Sequence, residues 1–476
     1  MEYNEIFRED DTITAIATPH GPGGIGIVRT SGAMAHDIMS ALFVPASEAE
    51  SFVPRHLYYG WIVEPASGER VDEVLAVWMK APASYTGEDV VEFQCHSGPA
   101  LLNRIIGLCL DAGARLAEPG EFTRRAFLNG RIDLIQAEAI AELASARSST
   151  SGKLAMNMLQ GGLKKKIEEV QGLILNALAS IEAAIDYPDE SHEILGEFER
   201  SGNSLEKAIS CLRGTASEFE RGRLYREGAS VVIAGRPNAG KSSLLNALAR
   251  EDRAIVTPVP GTTRDAVEVE VNINDLPVRL TDTAGIRPDP DEVEEIGIGR
   301  VEKFLREAAL VLWVVDASLM PGAEDLQAGE MIKKAGAIDR TLLVLNKSDL
   351  VHDPEMTDKI KRRLSALGIR PDKMPAATVS ALDGNGLDIL ADMISAGILG
   401  TNRHPPEIAP NLRQAEALQE GTAALETAYS AIRAGMSPEI AAIDLRNGYR
   451  ILGGIRGEDI TSDLLDHIFT SFCLGK

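Results

Sequence analysis

The stretch SVVIAGRPNAGKSSLLNALA, residues 230–249, decides the fold of the middle of this chain. An apolar segment leads into a loop bounded by Gly235 and Gly240, and Lys241, Ser242 and a second apolar segment follow at once. This order of strand, loop and helix is typical of the phosphate-binding loop, whose backbone N–H groups surround nucleotide phosphates. The lysine neutralises charge on the β and γ phosphates, and the serine reaches Mg²⁺. The stretch therefore predicts an α/β domain that binds a nucleoside triphosphate.

The motif DTAG, residues 282–285, ends the next predicted strand of that domain. The Asp282 carboxylate can hold the shell around the metal, and the backbone N–H of Gly285 can sense a γ-phosphate. Between the two motifs, IVTPVPGTTRD at 255–265 predicts a switch loop that supplies Thr263 as a second Mg²⁺ ligand. These segments predict Mg²⁺-assisted hydrolysis.

The motif NKSD, residues 346–349, predicts which base is bound. The Asp349 carboxylate is placed to accept both N–H groups of a guanine edge, a pair that adenine lacks, so the nucleotide is GTP. Ser380 and Ala381, in the stretch VSAL, complete the predicted base pocket. The residues predicted to contact GTP are Asn238, Ala239, Gly240, Lys241, Ser242, Ser243, Thr257, Thr262, Thr263, Asp282, Thr283, Ala284, Gly285, Asn346, Lys347, Asp349, Ser380, Ala381 and Leu382.

The group that orients the attacking water differs from the usual glutamine. Ile286 follows DTAG, and an alkyl side chain cannot hold a water in line with the phosphate. Glu294, in the acidic stretch DPDEVEE, is a carboxylate that could reach the water. On pattern alone, a solvated acidic loop explains the stretch equally well.

The hydrophobic pattern divides the chain into four segments. Short strands alternate with helical stretches at first, a period of 3.6 follows, an alternation of strands and helices surrounds the loop, and helical sequence ends the chain. We predict an α+β N-terminal domain, an α-helical domain, and an inserted α/β P-loop domain with a doubly wound, mostly parallel sheet. The predicted segments are 1–118, 119–222, 223–398 and 399–476.

Composition excludes several classes of protein. The 476 residues are 44% hydrophobic and 25% charged, and no apolar run is long enough to span a bilayer, so we expect a globular cytosolic protein. A net charge of −23 disfavours a protein that coats nucleic acid non-specifically. The cysteines lack any C-x-x-C pair, which predicts free thiols at Cys95, Cys109, Cys211 and Cys473.

A second glycine-rich stretch, HGPGGIGIVR, formally matches G-x-G-x-x-G at Gly21, Gly23 and Gly26. A dinucleotide site requires a helix after these glycines, whereas Ile25, Ile27 and Val28 indicate a strand. We therefore reject a dinucleotide site and predict a tight turn between two strands.

The chain ends in FCLGK, residues 472–476, with Cys473 fourth from the end. Prenylation is disfavoured because Gly475 and Lys476 replace the residues that its motif requires. Core packing and a functional site both remain open on this evidence. The preceding ITSDLLDHIFTSF predicts a docked final helix. Its predicted apolar face consists of Leu464, Leu465, Ile468, Phe469 and Phe472.

These motifs together, with PGTTRD and the segments DEVEEIGI, TGEDVVEFQCHSGP (86–99), PGEFTRRAFLNGRIDLIQAEAI (119–140) and AAIDYPDE (183–190), resemble the MnmE (TrmE) family of tRNA-modifying GTPases. The resemblance covers essentially the whole chain. It implies a folate-binding N-terminal domain that dimerises, and a G domain that dimerises across its nucleotide face with K⁺. With the flavin-dependent partner MnmG (GidA), such proteins add a carboxymethylaminomethyl group to C5 of the wobble uridine of certain tRNAs, using a one-carbon unit from reduced folate.

The resemblance also implies roles for individual residues. Glu294 stands where the family has its water-orienting glutamate, and Cys473 is the family's functional cysteine near the folate. The K⁺ ligands carried over are Asn238, Thr257, Val259 and Thr262. The folate-binding residues carried over are Arg29, Glu92, Lys476 and Arg131, the last at a position where the family more often has lysine.

The acidic net charge leaves the tRNA contact open. Lys164, Lys165 and Lys166 could supply it, as could the partner protein, although a solvated helix face also explains three lysines in a row. The alternative function is a switch GTPase that assists ribosome assembly and performs no chemistry on RNA.

Overall fold

The computed structural model describes residues 11–19, 21, 23–47, 51–186, 191–251, 268–283, 294–353, 355–366, 374–400, 404–458, 460–470, 472 and 475. The chain groups into two compact units. One comprises Met1–Ala141, Met158–Arg213 and Glu416–Lys476, and the other comprises Glu142–Asn157 and Gly214–Ala415. The domain boundaries drawn from the sequence pattern stay a prediction.

The N-terminal part of the first unit is a mixed sheet with helices on it. Its strands are β1 (Ile13–Ile16), β2 (Gly26–Ser31), β3 (Phe43–Pro45), β4 (Leu57–Val63), β5 (Arg70–Met79), β6 (Val90–Cys95) and β7 (Arg115–Leu116). The strand order is β3-β4-β5-β6-β2-β1-β7, and only β1 and β7 are parallel neighbours. Helices α1 (Ala35–Leu42) and α2 (Pro99–Asp111) contribute Met39 and Ile105 to a core shared with Val28 of the sheet.

The glycine-rich stretch lies between β1 and β2. Gly26 is the first residue of β2, which pairs antiparallel with β1, so a strand follows the glycines where a dinucleotide site needs a helix. The rejection of that site is confirmed. The predicted tight turn is wrong, because β1 ends at Ile16, and Ile25 precedes the next strand with 62% of its surface exposed.

A helical stretch follows the sheet in the chain. Its helices are α3 (Glu121–Leu128), α4 (Leu134–Ser145), α5 (Ser149–Leu159), α6 (Gly162–Asp186), α7 (Ser191–Ser217) and α8 (Phe219–Glu227). At the start of α4, the backbone N–H of Asp133 donates to Gln136 Oε1 at 3.0 Å, and that of Gln136 donates to Asp133 Oδ1 at 2.9 Å. Reciprocal bonds of this kind satisfy donors that a helix start leaves unpaired. The sequence IDLIQAEAI, with Asp133 and Gln136 three positions apart before an apolar run, predicts a capping box, and these bonds confirm it.

The second unit contains a six-stranded sheet. Its strands are β8 (Ala229–Ala234), β9 (Glu268–Ile273), β10 (Leu276–Asp282), β11 (Leu310–Asp316), β12 (Thr341–Asn346) and β13 (Ala376–Thr378). The order is β13-β12-β11-β8-β10-β9, and every neighbouring pair is parallel except β9 and β10. The helices are α9 (Lys241–Glu251), α10 (Glu294–Glu307), α11 (Ala323–Lys334), α12 (Met356–Ala366) and α13 (Leu387–Leu399). Strands β11 and β12 are buried along their whole length, as expected of a sheet covered on both faces.

The chain ends in the helices α14 (Leu412–Arg433), α15 (Pro438–Arg456) and α16 (Ser462–Thr470). Leu465, Phe469 and Phe472 share a core with Leu134 of α4, which confirms the docked final helix. Leu464 was wrongly predicted on the buried face and is 37% exposed, because it lies one step around the helix from Leu465.

Together these elements confirm the predicted fold class, with an α+β part, a helical part and a doubly wound P-loop part. Among the helices described, none combines the length and the apolar character needed to cross a bilayer.

A contact within the second unit allows a stability prediction. Asn274 and Asp275 form the two-residue turn between β9 and β10, both with positive φ. Asp275 accepts hydrogen bonds from the backbone N–H groups of Ser149 at 2.8 Å and Thr150 at 2.6 Å, and from the Thr150 hydroxyl. Its side chain thus caps α5 from a distant part of the chain.

We expect Asp275→Asn to lower the free energy of unfolding of the second unit by about 1–2 kcal/mol, because an amide supplies one acceptor where two are needed. Asparagine tolerates the positive φ, so the change isolates the cap. Urea unfolding is followed by the emission of buried Trp313 after Trp61 and Trp78 are replaced by phenylalanine. Exposed Asp339→Asn is the charge-matched control, and an equal effect of both variants would contradict the prediction.

Candidate nucleotide-binding site

The loop between β8 and α9 lies at the carboxyl ends of the parallel strands, where α/β sheets bind ligands. Gly235 and Gly240 have φ of 155° and 93°, and Asn238 has φ of 61°. A Cβ atom on Gly235 would meet the carbonyl oxygen of Val314, and one on Gly240 would meet the Asn346 amide. Both glycines are therefore required by backbone conformation and by lack of space. The loop turns tightly enough to present its N–H groups to an anion.

Lys241 begins α9, and only 6% of its surface is exposed. Its Nζ donates to the carbonyl oxygens of Gly235 at 2.9 Å and Arg236 at 2.8 Å. Burial lowers the pKa of this ammonium group, and the nearby Asp282 carboxylate offsets part of that shift. The loop thus holds a cation at its centre by its own carbonyl groups.

Ser242 and Asp282 bring two hard oxygen ligands together. The Ser242 hydroxyl donates to Asp282 Oδ2 at 2.7 Å, and Asp282 is buried at the end of β10. The neighbouring Thr283 hydroxyl donates to the carbonyl oxygen of Ile233 at 3.0 Å, which ties this strand end to β8. A hydroxyl beside a carboxylate suits Mg²⁺, which prefers oxygen ligands. The Ser242 hydroxyl and the Asp282 carboxylate are therefore of the ligand type expected at the predicted Mg²⁺ site.

The part of the site that contains the predicted base motifs is organised by Asn346, a buried residue at the end of β12. Its Nδ2 donates to the carbonyl oxygen of Ala239 at 3.0 Å, and its Oδ1 accepts from the backbone N–H of Ala381 at 3.1 Å. The Ser380 hydroxyl donates to Asp349 Oδ1 at 2.7 Å, which orients that carboxylate. Asn346 therefore joins the phosphate loop to both predicted base motifs. The Leu382 side chain is 83% exposed.

A cavity of about 680 Å³ lies over this loop. Its volume is in the range of small-molecule and cofactor sites. It is lined by Gly235, Pro237, Asn238, Gly240, Lys241, Ser242, Ser243, Thr283 and Lys347. The structure thus brings residues from three separate sequence motifs together around one space.

Two family models match the chain, one described as GTP-binding protein TrmE N-terminus over residues 12–131 and one as MnmE helical domain over residues 134–473. A tRNA modification GTPase MnmE from Carboxydothermus hydrogenoformans is 43% identical over 472 residues, 98% of this chain and 100% of the relative. This chain belongs to the MnmE family of tRNA modification GTPases. A relative of the same name from Symbiobacterium thermophilum is also 43% identical, over 98% of this chain and 100% of the relative. The family predicted from the motifs is confirmed.

Several residues predicted for an MnmE protein fall outside the described part of the chain. Glu294 is the first residue of α10, and its side chain lies outside that part as well. The other residues outside it are Thr257, Val259, Thr262, Thr263, Ala284, Gly285, Cys473 and Lys476. Their assignments stay predictions.

The predicted folate-binding residues of the MnmE N-terminal part are partly brought together. Arg29 Nε lies 2.7 Å from Glu92 Oε1, and its Nη1 donates to the carbonyl oxygen of Gly475 at 3.5 Å. The same guanidinium lies 5.4 Å from the ring centroid of Tyr85. Arg131 instead donates from Nε to the carbonyl oxygen of Ser84 at 3.2 Å. Gly475 thus reaches the Arg29–Glu92 pair, although it is far from both residues in sequence.

Sequence reasoning missed three charged residues that belong to the phosphate loop or pair with it. Arg236 follows the first glycine of the loop, Asp316 ends β11, and Asp325 lies in the first turn of α11. Arg236 lies 3.2 Å from Asp316 and 3.4 Å from Asp325. One signal could have revealed Asp316, namely a carboxylate that ends the apolar strand LVLWVV.

Proposed function

We propose that this chain hydrolyses GTP and, with the flavin-dependent protein MnmG, modifies C5 of the wobble uridine of certain tRNAs, using a one-carbon unit from reduced folate. The proposed product carries a carboxymethylaminomethyl group, and the proposed active form is a homodimer. The observation that carries the proposal is the meeting of Lys241, the Ser242–Asp282 pair and Asn346 at one edge of the sheet. Membership of the MnmE family links that GTP site to tRNA.

The loop contributes to hydrolysis mainly through charge and position. We infer that the Lys241 ammonium moves from the carbonyl groups of Gly235 and Arg236 to oxygens of the β and γ phosphates. Ser242, and Thr263 from the switch loop, would bind Mg²⁺, while Asp282 accepts from its water shell. When bound, the metal neutralises charge on the phosphate oxygens. Glu294 would hold the attacking water, since Ile286 cannot.

The guanine base would be read by a carboxylate that is already oriented. Because Ser380 holds Asp349 Oδ1, the carboxylate plane has a defined direction before the base arrives. Its oxygens would accept from the two N–H groups of the guanine edge, which adenine does not offer. Lys347, Ala381 and Leu382 would surround the base.

A K⁺ ion is proposed beside the phosphates, with Asn238, Thr257, Val259 and Thr262 as ligands. When bound, it would offset charge that builds between the β and γ phosphates, as an arginine finger does in other GTPases. Asn238 lines the cavity, and its amide oxygen is a ligand of the kind that K⁺ accepts.

GTP hydrolysis is expected to be faster in K⁺ than in Na⁺, because an oxygen-lined site suits the larger, more easily dehydrated ion. Asn238→Gly should erase the difference. Glycine is the suitable replacement because Asn238 has positive φ, which alanine adopts only with strain. Phosphate release is measured in matched KCl and NaCl, and equal rates for the unaltered protein would contradict the K⁺ site.

The folate would bind beside Arg29 and Glu92, within reach of the chain terminus. Arg29 is held by Glu92 and by the faces of Tyr85 and Phe122, so it is oriented before the ligand arrives. We propose that Lys476 and Arg131 meet carboxylates of the folate, and that Cys473 assists the one-carbon chemistry as a thiolate.

Arg29→Ala is expected to weaken binding of 5-formyltetrahydrofolate by about tenfold to a hundredfold, since a charge-assisted contact is lost. GTP hydrolysis should stay near normal, while wobble uridine modification in cells should fail. Arg104→Ala is the control, because this arginine of the same unit is exposed and pairs with Glu69 at 2.9 Å. Calorimetry on the full chain measures affinity. Unchanged folate affinity would refute the assignment of Arg29.

Analysis of wobble uridines in cells that lack the protein tests the function as a whole. Loss of the modified base, restored by the unaltered gene and not by the Arg29→Ala variant, is the expected result. Normal tRNA together with defective ribosomal subunits would favour the switch GTPase that assists ribosome assembly.

For the predicted tRNA contact, Lys165 is the exposed member of the run of three lysines. Lys164 Nζ lies 3.2 Å from Asp133 instead.

A further inference from the structure

Asp316 lies between two cations of the nucleotide site and belongs to none of the sequence motifs. It is the last residue of β11, and 3% of its surface is exposed. Its Oδ2 accepts from Lys347 Nζ at 2.7 Å and from Arg236 Nη2 at 3.2 Å. Lys347 belongs to the base motif and Arg236 to the phosphate loop. One buried oxygen therefore joins the two halves of the site.

The rest of the Asp316 carboxylate is also occupied. Its Oδ1 accepts from the Ser318 backbone N–H at 3.0 Å and from the Ser318 hydroxyl at 2.5 Å. Burial alone would raise the pKa of Asp316, but the hydrogen bonds from Lys347 and Ser318 outweigh burial and leave the pKa below its ordinary value. The carboxylate is ionised near neutral pH, and its position is set on both sides.

We propose that Asp316 is a positioning residue that pre-organises Lys347 and the phosphate loop for the guanine nucleotide. The inference rests on the proposed function. Lysine has a long, flexible side chain whose ordering opposes ligand binding, and the ion pair with Asp316 orders it in advance. Lys347 lines the same cavity as the phosphate loop, so its position bears directly on the ligand.

Asp316 is also connected to the phosphate loop, through Arg236. Arg236 is held by Asp316 and lies 3.4 Å from Asp325. The carbonyl oxygen of Arg236 accepts from Lys241 Nζ at 2.8 Å. Fixing the Arg236 side chain thereby fixes the backbone that positions the Lys241 ammonium. Asp316 does not line the nucleotide cavity, so we expect it to act on affinity more than on the chemical step.

The decisive variant is Asp316→Asn, which keeps the shape and an oxygen for Ser318. The Kd values for GTP and for GDP should both rise by about tenfold or more, with KM rising alike and kcat changing less than about threefold. The control is Ser318→Ala, which leaves both ion pairs and the Ser318 N–H in place and should change the Kd by less than about threefold. Trp313 emission, recorded with Trp61 and Trp78 replaced by phenylalanine, checks that each variant folds.

A double-mutant cycle tests whether Asp316 acts through Lys347. If it does, Asp316→Asn combined with Lys347→Met should raise the Kd for GTP by less than the product of the two single effects. Should Asp316→Asn fail to fold, Asp316→Glu replaces it in the cycle, because the added methylene group moves the carboxylate away from both cations. Multiplicative effects in either cycle, or an unchanged Kd in Asp316→Asn, would overturn the inference. Failure of the unaltered chain to bind GTP would instead overturn the proposed function.

Discussion

Replacing Lys241 by alanine is expected to lower kcat/KM for GTP hydrolysis by at least about a thousandfold, as loss of a preorganised charge at a transferring phosphate does. The structure adds a specific reason. The Lys241 ammonium lies between the cavity and the carbonyl oxygens of Gly235 and Arg236. Without it, those carbonyl dipoles face the phosphate oxygens with no cation between them. The loss should therefore affect GTP binding as well as the chemical step.

Phosphate release at low and at saturating GTP separates these two effects. The control is Lys333→Ala, which removes an exposed lysine near the end of α11 in the same unit. Trp313 emission, again with Trp61 and Trp78 replaced by phenylalanine, verifies that the second unit is folded in both variants. A loss of only about tenfold or less in kcat/KM for the Lys241→Ala protein would contradict the assigned role.

Asp349→Asn is expected to exchange the base preference, with GTP affinity falling by about a hundredfold to a thousandfold and xanthosine triphosphate becoming the better ligand. The hydrogen bond from Ser380 to Asp349 explains this exchange. Ser380 donates to Asp349 Oδ1, so the oxygen of an asparagine would keep that bond and turn its NH₂ group toward the base. Xanthine presents a carbonyl where guanine presents an amino group. The amide therefore pairs with xanthine and opposes guanine.

Competition of GTP, xanthosine triphosphate and ATP against a fluorescent guanine nucleotide measures the exchange. Asp339→Asn, an exposed aspartate of the same unit, should leave all three affinities unchanged. Ser380→Ala should weaken GTP binding without improving the xanthine nucleotide, because it removes the orienting bond and leaves the carboxylate. GTP affinity that survives Asp349→Asn would refute the base-pocket assignment.

Sequence patterns predicted the structure best where the interactions join residues that are close together in the chain. The phosphate loop, with its glycines and Lys241, needs only neighbouring residues to define its turn and its cation. The capping box of Asp133 and Gln136 spans one helical turn and was read correctly. Leu464 was misread because an apolar residue on the flank of a helix resembles one on its buried face until the neighbouring helix is placed.

By itself, the sequence determined the fold class, the GTP-binding motifs and the family of this chain. Each of these depends on the spacing of residues within single segments, and that spacing can be read directly from the sequence. The tertiary structure alone decided that Asp316 meets Arg236 and Lys347, and that Gly475 meets Arg29. Such pairs depend on the order of strands in the sheets and on the docking of the last helix. No local periodicity encodes either, because both result from burying apolar surface that is distant in sequence.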